Sequence, residues 1–143
     1  MGQQNPTVMI SLGGNAISPK NESGTIQQQF SHTKESLAAV MGFVKRRYNI
    51  CIAHGNGPQV GAELQRNELT QDIIPPLPLG VLVANTQGAI GYMIQQSLQN
   101  ALYKEDANRE VVSVISQVKV DKDDPELMDP KKYIGKSYDK ETA

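Results

Sequence analysis

Apolar residues follow two rhythms along this 143-residue chain. "TVMISLGG" (7–14) is a short, nearly continuous apolar run ending in two glycines, which predicts a buried strand. "NAISPKNESG" (15–24) is rich in turn formers and reads as loop. From Ile26 the period lengthens. Ile26, Phe30, Thr33, Leu37, Val40, Met41 and Val44 recur at helical spacing, with Lys34, Glu35, Lys45 and Arg46 between them. One amphipathic helix over about 26–47 is predicted, its basic end suited to the helix dipole.

"NICIA" (49–53) is a second predicted strand, and "HGNG" its terminal turn. Pro58 then suits a first helical turn, where its missing N–H costs nothing, and 58–69 supplies the helix. "PPLPLG" (75–80) is a stiff connector to a long helix over 81–103, with Ile90, Met93, Ile94, Leu98, Ala101 and Leu102 as its apolar stripe. Gly88 and Gly91 inside that helix cost roughly 1 kcal/mol each and predict close packing of another backbone. "EVVSVISQV" (110–118) reads as a third strand. The order of elements implies parallel strands with helical crossovers, hence an α/β fold whose ligands gather at the carboxyl ends of the strands. Residues 1–118 form the α/β portion. Residues 119–143, polar and lysine-rich, are a lid, an excursion from the domain or a polar tail.

Composition removes several function classes. A net charge of −1 argues against a dedicated nucleic-acid binder. Cys51 is the single cysteine, so no disulfide forms within the chain and a reducing, cytoplasmic setting is expected. Within its apolar run it is expected to be a buried filler. No apolar stretch is long enough for a bilayer, and the first residues lack the basic and apolar regions of a signal peptide.

The chemistry lies in two turns. Gly13, Gly14 and Asn15 follow the first strand; Gly55, Asn56 and Gly57 follow the second. Glycines there permit positive φ and close backbone approach, so that successive N–H groups point at one anion. Asn15 and Asn56 add neutral donors. Either turn alone is ordinary, but both at one sheet edge predict an anion-binding cavity. There is no G-x-x-x-x-G-K-[ST], and Gly55, Gly57 and Gly61 miss the dinucleotide spacing. His54 is read as a structural hydrogen-bonding residue rather than a base or ligand. "DKDD" (121–124) is read as a solvated turn in preference to a Mg²⁺ site. Lys131 and Lys132 sit in "DPKKYIG", bracketed by proline and glycine as in a defined turn.

Taken in order, "ISLGGNAI", "HGNGPQVG", "QGAIGYMIQQSLQN", "SQVKVDKDDP" and "DPKKYIGKSY" resemble the amino-terminal half of carbamate kinase, of the amino acid kinase superfamily, over about residues 7–143. The resemblance implies an α/β/α sandwich with a mainly parallel sheet, incomplete at its carboxy-terminal side. It implies phosphoryl transfer between carbamoyl phosphate and ADP, giving ATP and carbamate, with Mg²⁺, in a homodimer. On this likeness Gly13, Gly14 and Asn15 lie at the transferring phosphoryl group and Gly55, Asn56 and Gly57 line the carbamate side. Lys132 takes the place of the family's catalytic lysine, in "PKKYIG" where the family pattern is Pro-Thr-Lys-Pro-Ile-Gly. Residues 119–143 then begin a protruding subdomain over the site.

The family's nucleotide-holding half has no counterpart in these residues, so full binding of ADP or ATP by this chain is not expected. Two further readings stay open: a non-catalytic domain used for binding or oligomerisation, and an amino acid kinase acting on another small anion.

Overall fold

The computed structural model describes residues 5–131 except Lys20, together with Tyr133 and Ile134. Two parallel strands form its sheet: β1 (Thr7–Leu12) and β2 (Asn49–His54), in register from Thr7 opposite Asn49 to Leu12 opposite His54. Between them run α1 (Gly14–Ile17), α2 (Ile26–Ala38) and α3 (Val40–Lys45). After β2 come α4 (Gly57–Thr70), α5 (Leu79–Lys104) and the short α6 (Pro125–Met128).

Alternation along the strands decides which side is core. Ile10, Leu12, Ile50 and Ile52 face helices that contribute Ile17, Leu37, Val40, Val44, Ile90, Met93, Ile94, Leu98 and Leu102. Ile17 and Ile90 lose all solvent contact, and each such side chain contributes roughly 1.5–3 kcal/mol. The opposite face carries Met9 and Cys51, register partners that both stay exposed. Cys51 is therefore not the buried filler its apolar run suggested. It has the wrong parity, one residue from Ile50 and one from Ile52.

The α/β class stands, and the described residues supply two strands and the helical layer on one side of them. The region expected to be one helix over 26–47 is two, interrupted at Ala39. Thr25 opens α2 with a capping box, its hydroxyl accepting from Gln28 N–H while the Gln28 side chain accepts from Thr25 N–H. The close of α3 is less conventional. Arg47 takes φ 61°, Arg47 N–H donates to Val44 O at 2.9 Å and Tyr48 N–H to Phe43 O at 3.1 Å. These are the two bonds of a Schellman ending, with arginine where glycine is favoured.

The expected third strand over 110–118 is absent. Its residues are extended but belong to no sheet. They lie along α5, whose glutamines take the backbone groups a neighbouring strand would take. Gln99 accepts from Val111 N–H and donates to Arg109 O; Gln95 donates to Val111 O; Gln87 accepts from Ser116 N–H and donates to Ser116 O. Gly91 allows this approach. A Cβ there would lie 3.1 Å from Ser113, whose hydroxyl donates to Gly91 O at 3.0 Å. Gly88 would meet only ordinary contact, 3.7 Å from Ile115.

Candidate functional site

β1 and β2 run parallel side by side, so their ends deliver the two glycine turns to the same edge. Gly55 N–H donates to Leu12 O at 3.0 Å, which binds the start of one turn to the end of the other strand. The turns then touch. A Cβ on Gly14 would lie 3.0 Å from Pro58 Cδ, and one on Gly55 would lie 3.2 Å from the Gly14 nitrogen. Close approach, not positive φ, is what these glycines provide: among the described glycines only Gly24 has a positive φ. Gly13 and Gly57 face open space, with nothing within 4 Å of a Cβ.

The edge between the turns is rich in free backbone donors. α4 begins at Gly57, with Asn56 as its N-cap and Pro58 in its first turn. The first N–H groups of a helix have no partner inside it. Pro58 has none to offer, which leaves Gly57 and Gln59. An asparagine N-cap ordinarily accepts one of these bonds, yet Asn56 makes no such bond. Its amide turns to α5 instead, donating to Thr86 Oγ1 at 3.0 Å and Val83 O at 3.4 Å. The Asn56 amide protons are thus engaged with α5. Asn15 is exposed beside Gly14. Thr86 was missed because a threonine inside a helix reads as packing. Its signal is the buried hydroxyl, which donates back to Leu82 O or Val83 O and so presents its lone pairs to Asn56.

His54 ends β2 with Nδ1 3.3 Å from Gly55 O, in keeping with a structural role. The acidic run is a turn: Asp121 accepts from Asp123 N–H, and Asp124 caps α6 through Glu126 N–H. Among the described residues there is no group of three His, Cys, Asp or Glu side chains able to hold a metal ion. Lys131 pairs with Glu126 at 3.3 Å. Lys132 lies outside the described residues.

Two cavities lie elsewhere. One, about 380 Å³, separates β2 from the extended segment, with Ile94 and Leu98 of α5 in its wall. The other, about 460 Å³, lies among Arg47, Asn49, Asp106 and Arg109. Neither is lined by the turn glycines. Among the described residues, no helix is long and apolar enough to cross a membrane.

Fold and turns together define a class: an α/β protein that brings two glycine turns and an uncapped helix start to one sheet edge. No protein-family model matches the chain. It is 41% identical over 138 residues to the carbamate kinase of Pyrococcus horikoshii, a match covering 95% of this chain and 44% of that protein. It is 42% identical over 130 residues to the carbamate kinase-like protein YahI of Escherichia coli, covering 90% of this chain and 41% of that protein. Among solved structures, the carbamate kinase of Giardia lamblia bound to AMP-PNP superposes with a TM-score of 0.88 at 32% identity, covering 96% of this chain and 43% of that one. The chain is similar to the amino-terminal portion of these carbamate kinases and spans less than half of their length.

Proposed function

We propose that these residues form the carbamoyl phosphate side of a carbamate kinase, with the nucleotide held by a part of the enzyme they do not include. The observation that carries this reading is the contact between the Gly13–Asn15 and Gly55–Gly57 turns beside the uncapped start of α4. Phosphoryl transfer requires positioning and charge stabilisation more than covalent participation. Backbone N–H groups at fixed positions supply both, and losing one such donor costs on the order of 3 kcal/mol of barrier stabilisation. Carbamate has few handles, so close-packed glycine turns suit it.

Lys132 is proposed as the cation at the transferring phosphoryl group. Lys132→Ala in an enzyme carrying both sides is expected to lower turnover at least about a hundredfold. ADP and Mg²⁺ are proposed as the co-reactant and its metal. The working form is proposed to be a cytoplasmic homodimer.

The direct test is calorimetric titration of the 143-residue chain with carbamoyl phosphate and with inorganic phosphate, alongside an assay of ATP formation from carbamoyl phosphate and ADP. Binding with negligible turnover is expected. Absence of binding to either anion overturns the reading. A second reading, a non-catalytic module that associates through its sheet, is favoured by exposed Met9 and Cys51. Self-association without anion binding would select it.

A further inference from the structure

We propose that Thr86 is a positioning residue that holds Asn56 away from α4 and so keeps the first N–H groups of that helix open to the anion. The inference rests on the reading of the glycine turns as a substrate site. It adds a residue that lies on another helix, 30 positions along the chain from Asn56.

Asn56 has two competing uses. As N-cap of α4 it stands where an asparagine side-chain oxygen ordinarily accepts from the N–H of the third helical residue, here Gln59. That bond is not made. The amide group is instead oriented by its donors: one to Thr86 Oγ1 at 3.0 Å, the other toward Val83 O at 3.4 Å. Thr86 is suited to hold it. The residue is only 3% exposed, so water does not compete for its hydroxyl. Its own proton is directed back to Leu82 O or Val83 O, at 3.0 and 2.9 Å, which leaves the oxygen as an acceptor. The arrangement forgoes a helix cap. In return Gly57 and Gln59 N–H remain unpartnered at the edge where Gly14 and Gly55 pack, and the Gly57 nitrogen lies 3.9 Å from a Cβ built on Gly14. An asparagine satisfied at α5 leaves that edge to a ligand; an asparagine released from α5 would occupy it.

Thr86→Val keeps the shape and removes the acceptor. Asn56 is then expected to cap α4, and hydrogen exchange of the Gln59 amide should slow by on the order of fivefold, the weight of one N-cap bond. Affinity for inorganic phosphate, measured by titration of the same chain, should fall by a similar factor. Thr86→Ser should restore both. Asn56→Asp removes the donor from the other partner and should slow Gln59 exchange in the same way, which keeps the test available should the valine variant not fold. Unchanged Gln59 exchange in both Thr86→Val and Asn56→Asp overturns the inference. If wild type binds no phosphate, the substrate reading fails, and the exchange comparison still decides whether Thr86 controls Asn56. A merely structural threonine would lower stability without slowing exchange at Gln59.

Discussion

Gly55 passes so close to Gly14 that a Cβ on Gly55 would lie 3.2 Å from the Gly14 nitrogen and 3.8 Å from its α-carbon. The neighbour is backbone at the start of α1, and it has little room to give. Gly55→Ala is therefore expected to separate the turns, lowering stability by about 1–3 kcal/mol and weakening phosphate binding. Gly57→Ala is the matched control. Its Cβ meets nothing within 4 Å, so stability should hold while binding falls if the anion occupies that open space. Denaturant unfolding and phosphate titration of both variants distinguish the two roles.

The turns were legible from sequence because each follows a strand at once, and parallel neighbours must bring such turns to one edge. What the glycines are for was not. Positive φ and close approach have the same sequence signature, and here packing decides in favour of approach. Cys51 was misread because burial was inferred for the whole apolar run, whereas β2 has only one face against helices. Residues 110–118 have the β-branched composition of a strand, yet composition does not supply a neighbour. Gln87, Gln95 and Gln99, spaced eight and four apart on α5, occupy those backbone groups. Thr86 and Asn56 are 30 residues apart, and no local rule links them.

Arg47 ends α3 with φ 61°. A side chain in the left-handed region is disfavoured by roughly 1–2 kcal/mol, and glycine escapes most of that. No hydrogen bond or ion pair of the Arg47 side chain is found among the described residues to offset it. Arg47→Gly is expected to raise stability by up to about 1 kcal/mol, visible as an increase in the denaturation midpoint. A decrease would mean that the arginine is held by contacts beyond the described residues.

Gly91→Ala opposes two effects. Alanine improves an interior helical position by roughly 1 kcal/mol, but its methyl group would lie 3.1 Å from Ser113. Ser113 belongs to an exposed extended segment and can move, so global stability should change little. The segment should loosen, since the Ser113 bond to Gly91 O is displaced. Limited proteolysis is expected to cut 110–118 faster in the variant at an unchanged melting temperature. A lower melting temperature with unchanged cutting would contradict this.

His32 ties the loop before α2 to the helix itself. Its Nε2 lies 2.9 Å from Glu22 Oε2, and its Nδ1 lies 3.8 Å from Glu35 Oε2. The hydrogen bond to Glu22, with the charges of Glu22 and Glu35, raises the imidazole pKa above its ordinary value against a smaller opposing effect of burial. The sign follows from that direction. A histidine that holds its proton more tightly when folded contributes stability below its unfolded pKa, and the contribution fades as pH rises through the higher folded value. The pair is solvated, and salt should weaken it. A proton NMR titration should place His32 above an ordinary histidine, and Glu22→Gln should lower it by more than Glu35→Gln does. If neither change moves the titration, the contacts to α2 do not hold the loop in solution.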